Sequence, residues 1–178
     1  NGYVVFLGRL HPGKGLGLLT RGFARIAGDH PSVKLVLVGP DAGARTGIES
    51  AATEAGIADR VVFTGAVYGR DKLAGLAGAV CYCLPSEHEG FSVAICEALA
   101  CGTPVVISPE CHFDEVATHG AGVVVPRDPA AIGEALREML DDPDRARTMG
   151  DAGRALVFDR FTWPAVAQRC VDLYQKHG

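Results

Sequence analysis

The sequence has no apolar run long enough for a helix to cross a bilayer and no signal-peptide pattern. The first absence excludes a membrane-spanning helix, and both together lead to a cytoplasmic assignment as the expectation. There is no excess of positive charge: 17 Lys and Arg stand against 21 Asp and Glu, a net charge of −4. That removes the general electrostatic reason to bind nucleic acid, while leaving room for a local basic pocket. No C-x-x-C pair occurs among the six cysteines, so the usual zinc spacings are excluded and no metal site is expected. Cys81 and Cys83 are spaced for one face of a strand, Cys96 and Cys101 lie in or at the end of an apolar helix, and Cys111 and Cys170 are isolated. Small buried hydrophobes in a reducing compartment are expected, with a disulfide left open. No internal repeat and no low-complexity linker interrupts the 178 residues, a length that suits one domain with a sizeable core. The opening Asn1-Gly2-Tyr3 has no Met and runs straight into a strand-like segment, so one half of a larger protein is expected.

What is present alternates. Apolar runs suited to buried parallel strands stand at 3–8, 34–39, 61–64, 79–84, 105–107 and 123–125. Helical patterns fall at about 16–28, 44–55, 71–77 and 91–101, with a turn or two at 114–119. This order predicts an α/β fold: a Rossmann-like, six-stranded parallel sheet flanked by helices. After Asp128 the strands stop and a helical tail follows, at 129–140, 144–158 and from Thr162, a candidate cap with Pro164 in the first turn. In such sheets ligands meet the carboxyl ends of the strands. The loops there hold Arg9 and Lys14, Gly39 to Asp41, Gly65 to Tyr68, and Ser86 to Gly90.

The stretch from Pro85 to Val106 organises the chain. From Phe91 to Cys101 nearly every residue is apolar or small, so this helix is expected to be buried. It nevertheless carries Glu97, and Glu89 stands just before its first turn. A buried carboxylate needs a partner or a task, and carboxylates accept hydrogen bonds from hydroxyls. The helix N-terminus, near Gly90, Phe91, Ser92 and Val93, offers free N–H groups to phosphate. Phosphate donors beside hydroxyl acceptors suit a nucleotide-sugar. Glu89 alone reads equally well as an acid favoured at a helix start.

The first loop, Gly8-Arg9-Leu10-His11-Pro12-Gly13-Lys14, admits three readings. It matches most of a Walker A loop, but Gly15 stands where Ser or Thr would hold magnesium, and the clearest later acid is Asp41. It is also a pair of cations on a close-approaching backbone, Arg9 gripping a diphosphate and Lys14 adding a point charge. Or it is a surface loop with two solvated cations, His11 beside them. A receiver-type signalling domain would need acids at the end of the first strand, where this chain has cations.

Gly8-Arg9-Leu10 with Lys14-Gly15, Val61-Val62-Phe63-Thr64-Gly65, Pro85-Ser86 through Glu89-Gly90-Phe91, and Glu97-Ala98-Leu99-Ala100-Cys101-Gly102-Thr103-Pro104-Val105-Val106 occur in that order. Together they closely resemble the C-terminal half of the family 4 (group 1) retaining glycosyltransferases of GT-B fold, with Glu89 and Glu97 as its E-x7-E pair. The resemblance covers essentially the whole chain. It implies a single nucleotide-sugar donor domain over 1–178, without the N-terminal acceptor domain, and transfer of a hexose with retention and without an essential metal or other cofactor. UDP- and GDP-sugars are the donors it implies. Arg9, Lys14 and Glu89 match the catalytic positions: the two cations on the donor diphosphate, the glutamate near the sugar hydroxyls. Gly8, Val62, Gly90, Phe91, Ser92, Val93 and Glu97 match donor-binding positions, with Val62 at the strand end that meets the base and Glu97 on the ribose.

The partners so implied are the protein's own N-terminal half and an acceptor sugar, lipid or small molecule, with peripheral contact at the inner membrane face through that half. Two departures stand out. Ser92 replaces a frequent Gly, and Glu110-Cys111-His112-Phe113-Asp114-Glu115 replaces a Gly-Gly turn, leaving that loop's conformation open. A stand-alone nucleotide-sugar sensing module, a GT-B epimerase and a P-loop NTPase are the alternatives.

Overall fold

The computed structural model describes residues 2–177, the side chain of His177 excepted; Asn1 and Gly178 lie outside the described residues. Six strands, β1 Tyr3–Leu7, β2 Lys34–Val38, β3 Val61–Gly65, β4 Cys81–Leu84, β5 Val105–Ile107 and β6 Gly122–Val124, form one sheet. Every pairing is parallel, in the order β3-β2-β1-β4-β5-β6. The helices are α1 Leu16–Ala24, α2 Arg45–Glu54, α3 Gly69–Ala77, α4 Val93–Ala100, α5 Glu115–Thr118, α6 Pro129–Asp141, α7 Pro143–Arg160 and α8 Trp163–His177. The expected α/β sheet with a helical tail is therefore what the chain forms.

The central strands are continuous apolar runs because helices cover both faces of the sheet. Val4, Val5 and Phe6 of β1 and all four residues of β4 are buried, and the Phe6 and Tyr82 rings stack 6.5 Å apart. The chain builds outward from β1 to β2 and β3, then returns past β1 to lay down β4, β5 and β6. The order reverses between β1 and β4, so the loops leaving their carboxyl ends diverge and open a crevice. The residues of interest sit there.

Local chemistry starts the tail helices. Asp128 accepts from the N–H groups of Ala130 and Ala131 ahead of α6, whose first residue is Pro129, and Asp142 accepts from the Arg145 N–H ahead of α7. Thr162 accepts from the Ala165 N–H at 3.4 Å, as its sequence position suggests. α6 packs on α1 and α7 on α4. A Cβ built on Gly150 of α7 would lie 2.0 Å from the Gly102 carbonyl oxygen, so α7 rests directly on the turn that ends α4.

Three expectations change. α1 stops at Ala24, not near Gly28, because Arg60 draws the following segment into turns: its guanidinium donates to the carbonyls of Ala27, His30 and Val33. α4 spans Val93–Ala100 and is only half buried: Ile95, Ala98 and Leu99 face the core, while Val93 is 61% exposed. Its apolar open side faces away from the sheet and α7, which cannot cover it. Cys81, Cys83 and Cys111 are buried as expected, but Cys170 is exposed on α8. Among the described residues all six thiols are free.

Candidate functional site

The crevice is built from two loops pressed backbone to backbone. The first leaves β1 at Gly8, whose N–H bonds the Val38 carbonyl at 2.9 Å. Leu10 is buried and forms an isolated bridge with Asp41. Pro12–Lys14 then make one tight helical turn, with exposed His11 accepting from the Gly13 N–H through Nδ1. Gly15 turns the chain into α1 at φ 70, and a Cβ there would lie 2.0 Å from the Pro85 carbonyl oxygen. Only glycine permits both that angle and that approach.

The second loop, Pro85–Ser92, is tied to the first. The Glu87 N–H and the Ser86 hydroxyl both donate to the Gly13 carbonyl, at 2.8 and 3.1 Å. Lys14 Nζ reaches Glu89 Oε1 at 2.6 Å. Glu89 is 9% exposed at its side chain, and its own N–H donates to the Glu110 carbonyl at 3.0 Å. The residue that starts α4 is Ser92, and no side chain caps it. Glu89 is therefore not a helix cap; it is a carboxylate held by a lysine. The first N–H groups of α4, from Val93 onward, have no intrahelical acceptor and no side-chain cap, the condition in which a helix start can take an anion.

Glu97, one turn further along α4, has its own lysine. Lys72 Nζ on α3 lies 2.5 Å from Glu97 Oε1, with the side chains 24% and 29% exposed. Sequence reasoning missed Lys72: the pair is 25 positions apart and only the packing of α3 on α4 joins them. Beside it, between the sheet and α3, lies a cavity of about 190 Å³ lined by Leu7, Val36, Val38, Thr64, Val67 and Lys72, among others. Arg9 is exposed, and its guanidinium makes no hydrogen bond or ion pair among the described residues.

The structure thus brings Gly8, Arg9, Lys14, Glu89, Gly90, Phe91, Ser92, Val93 and Glu97 to the two loops and the helix at one crevice. Ser92 is buried, whereas Phe91 is 57% exposed. Val62 is placed differently. It is the second residue of β3, paired with Val36, and the carboxyl end of that strand is Thr64-Gly65. Thr64 and Val67, not Val62, reach the cavity.

The Walker A reading fits poorly. Lys14 is aimed at a carboxylate of the neighbouring loop, and Asp41 is engaged as an acceptor for the N–H groups of Gly43, Ala44 and Arg45. Those donors, Arg45 foremost, hold the Asp41 carboxyl below its ordinary 3.8. The described residues contain no group of three or more His, Cys, Asp or Glu side chains arranged to hold a metal ion. No helix among them is long and apolar enough to cross a membrane.

The segment at 110–115 proves to be a brace. Pro109–Cys111 form a tight turn ending at His112, φ 50, whose ring meets His88 edge-on at 5.8 Å. Phe113 is buried between Phe91, at 5.8 Å, and Phe161, at 5.0 Å. Three aromatic rings so connect the helix-start loop to the junction of α7 and α8. Under the loop, burial pushes the Tyr82 hydroxyl and the Cys83 thiol well above their ordinary ranges, so neither ionises in service of the crevice.

Comparison with known proteins agrees with this geometry. The family described as "Glycosyl transferases group 1" matches residues 1–156. A GDP-mannose-dependent monoacylated alpha-(1-6)-phosphatidylinositol monomannoside mannosyltransferase of Corynebacterium glutamicum is 31% identical over 175 residues, covering 94% of this chain and 45% of the relative. Sucrose-phosphate synthase from Thermosynechococcus elongatus superposes with a TM-score of 0.86 at 32% identity, over 98% of this chain and 45% of that one. HepE of Anabaena, solved in complex with UDP-glucose, superposes at 0.84 with 26% identity, over 99% and 49%. The chain spans about half the length of these proteins. With motifs, sheet order and relatives in agreement, the chain belongs to the group 1 glycosyl transferases and has the fold of a GT-B domain.

Proposed function

We propose that the chain is the donor-binding half of a retaining glycosyltransferase that moves a hexose from a nucleotide diphosphate sugar to an acceptor. The observation that carries this reading is the crevice itself. An uncapped helix N-terminus and an open Arg9 stand beside two glutamates, each held by a lysine. Anion donors and hydroxyl acceptors lie side by side there, and a sugar diphosphate needs both.

In the reaction the bond from the anomeric carbon to the diphosphate breaks and its electron pair leaves with the diphosphate, while an acceptor hydroxyl oxygen bonds to that carbon on the same face and its proton passes to the departing diphosphate. Arg9, Lys14 and the first N–H groups of α4 offset the charge that develops on the leaving oxygen. Glu89, fixed by Lys14 and by its backbone bond to Glu110, accepts a hydroxyl of the hexose and orients it. Glu97 accepts from the ribose, and the cavity at Thr64 and Val67 receives the base. The reading needs no metal. HepE was solved with UDP-glucose, and the corynebacterial relative is named for GDP-mannose, so UDP- and GDP-hexoses are the donors it favours. Because the relatives are about twice as long, the acceptor is assigned to an N-terminal half that closes over the crevice, excludes water and contacts the membrane face when the acceptor is a lipid.

Thermal unfolding of the chain with UDP, GDP, ADP, UDP-glucose and GDP-mannose, with and without magnesium, tests the proposal. At about a hundred times its dissociation constant a ligand stabilises by about 2.7 kcal/mol, several degrees of melting temperature for a domain of this size. A magnesium-independent rise with one nucleoside diphosphate, reduced in Arg9→Ala, is expected. A rise confined to ATP with magnesium would overturn it in favour of a P-loop enzyme.

A further inference from the structure

We propose that Lys72 is a positioning residue that presents Glu97 to the ribose of the donor, and so makes the site demand a ribonucleotide over its 2′-deoxy counterpart. The inference rests on the donor reading above and adds a residue to it.

The Lys72–Glu97 pair is not needed to hold α3 against α4. The seam between α3 and the end of α4 is already bonded without it: the Thr103 hydroxyl donates to the Leu76 carbonyl at 2.7 Å, and Cys101 Sγ meets the Leu73 carbonyl at 3.7 Å. A cation in the first turns of a helix sits at the unfavourable end of its dipole, and Lys72 is the fourth residue of α3. An ion pair a quarter exposed at each partner contributes little stability. Stability does not account for this lysine.

Its geometry does. The ammonium takes Glu97 Oε1 at 2.5 Å, while Oε2 has no hydrogen-bond partner among the described residues. A glutamate side chain is flexible, and ordering it on binding costs affinity. The lysine does that ordering in advance and leaves one carboxylate oxygen to accept hydroxyls. The same side chain lines the cavity that receives the base, so it spans the two places between which a ribose would lie. A site built to bond a hydroxyl discriminates against an analogue that lacks it, because a carboxylate lone pair is left without its donor.

The test is titration calorimetry of the chain with UDP, GDP, 2′-deoxy-UDP and 2′-deoxy-GDP. For whichever base binds, the ribonucleotide is expected to bind at least about tenfold tighter than its deoxy form, the size of one charge-assisted hydrogen bond. In Lys72→Met that ratio falls to within about threefold, mainly through loss of ribonucleotide affinity, and Lys72→Arg restores it. Lys72→Gln, which keeps a polar tip without the charge, makes the same comparison if the methionine variant does not fold cooperatively. Glu97→Gln also lowers the ratio, and Lys72→Met added to it changes nothing further. A ratio unchanged in Lys72→Met, or in Lys72→Gln, would overturn the role while leaving the donor reading intact. No binding of any nucleoside diphosphate to a folded wild-type chain would overturn both.

Discussion

Glu89 and Glu97 stand on one short stretch, and each meets a lysine, at 2.6 and 2.5 Å. Their surroundings differ. Glu89 is 9% exposed and sits in a loop clamped by Gly13, Glu110 and the close approach of Gly15 to Pro85. Glu97 is 29% exposed on a regular helix, and its lysine is the one partner its side chain has among the described residues. The loop glutamate is therefore part of the scaffold as well as the site, and its removal disturbs both. The helical glutamate is placed by a backbone that would fold the same way without it. Two pairs of the same residues are expected to divide between stability and recognition according to burial.

The largest effect should come from the clamp. Gly15→Ala puts a side chain at φ 70 and a Cβ 2.0 Å from the Pro85 carbonyl oxygen, so the two loops must part. A loss of about 3 kcal/mol or more in denaturant unfolding is expected, with nucleotide binding abolished. A stable, binding-competent Gly15→Ala would show that the loops are not interlocked.

Next, Lys14→Met leaves Glu89 nearly buried without its cation. A cost of about 2 kcal/mol is expected, below that of a fully buried pair because Lys14 keeps a quarter of its side chain in water. Adding Glu89→Gln should recover most of that stability but none of the diphosphate affinity, which in the proposed function depends on the charge at position 14. Lys72→Met, by contrast, should change stability by less than about 1 kcal/mol. Equal costs at the two lysines would erase the distinction between the pairs.

That distinction was only partly legible in the sequence. The strands were, because β1, β4, β5 and β2 after Lys34 are unbroken apolar runs whose type does not depend on their neighbours. The crevice was too, since Arg9, Lys14, Glu89 and Glu97 all fall on or beside loops at strand carboxyl ends. The burial of α4 was not, because Val93, Ala94 and Cys96 are apolar yet lie on the open side of the helix. Residue type reports what a side chain can tolerate, not whether another element arrives to cover it. Lys72, the Arg60 clamp on the carbonyls after α1, and the joining of Phe91, Phe113 and Phe161 depend on contacts 22 to 70 positions apart, as seen for Lys72 with Glu97, Arg60 with Val33 and Phe91 with Phe161. No local pattern encodes such pairings.

A third carboxylate extends the comparison to the smallest effect. Asp41 lies on the loop after β2 and has no lysine. Its charge is met by the N–H groups of Arg45, Gly43 and Ala44, which lower its pKa from 3.8 against a weaker opposing push from burial. A carboxyl with a lower pKa folded than unfolded adds stability above its unfolded value, and that stability is lost as pH falls through the folded value. Wild type should therefore be more stable than Asp41→Asn at pH 6, with the gap closing below about pH 4, where the wild-type carboxylate takes up its proton. Melting temperatures of the two proteins from pH 6 to pH 3 measure it. A gap that stays constant through the acid range would mean that Asp41 acts through its shape at the head of α2 and not through its charge. Backbone donors would then place a side chain without storing the electrostatic energy that the lysines supply at Glu89 and Glu97.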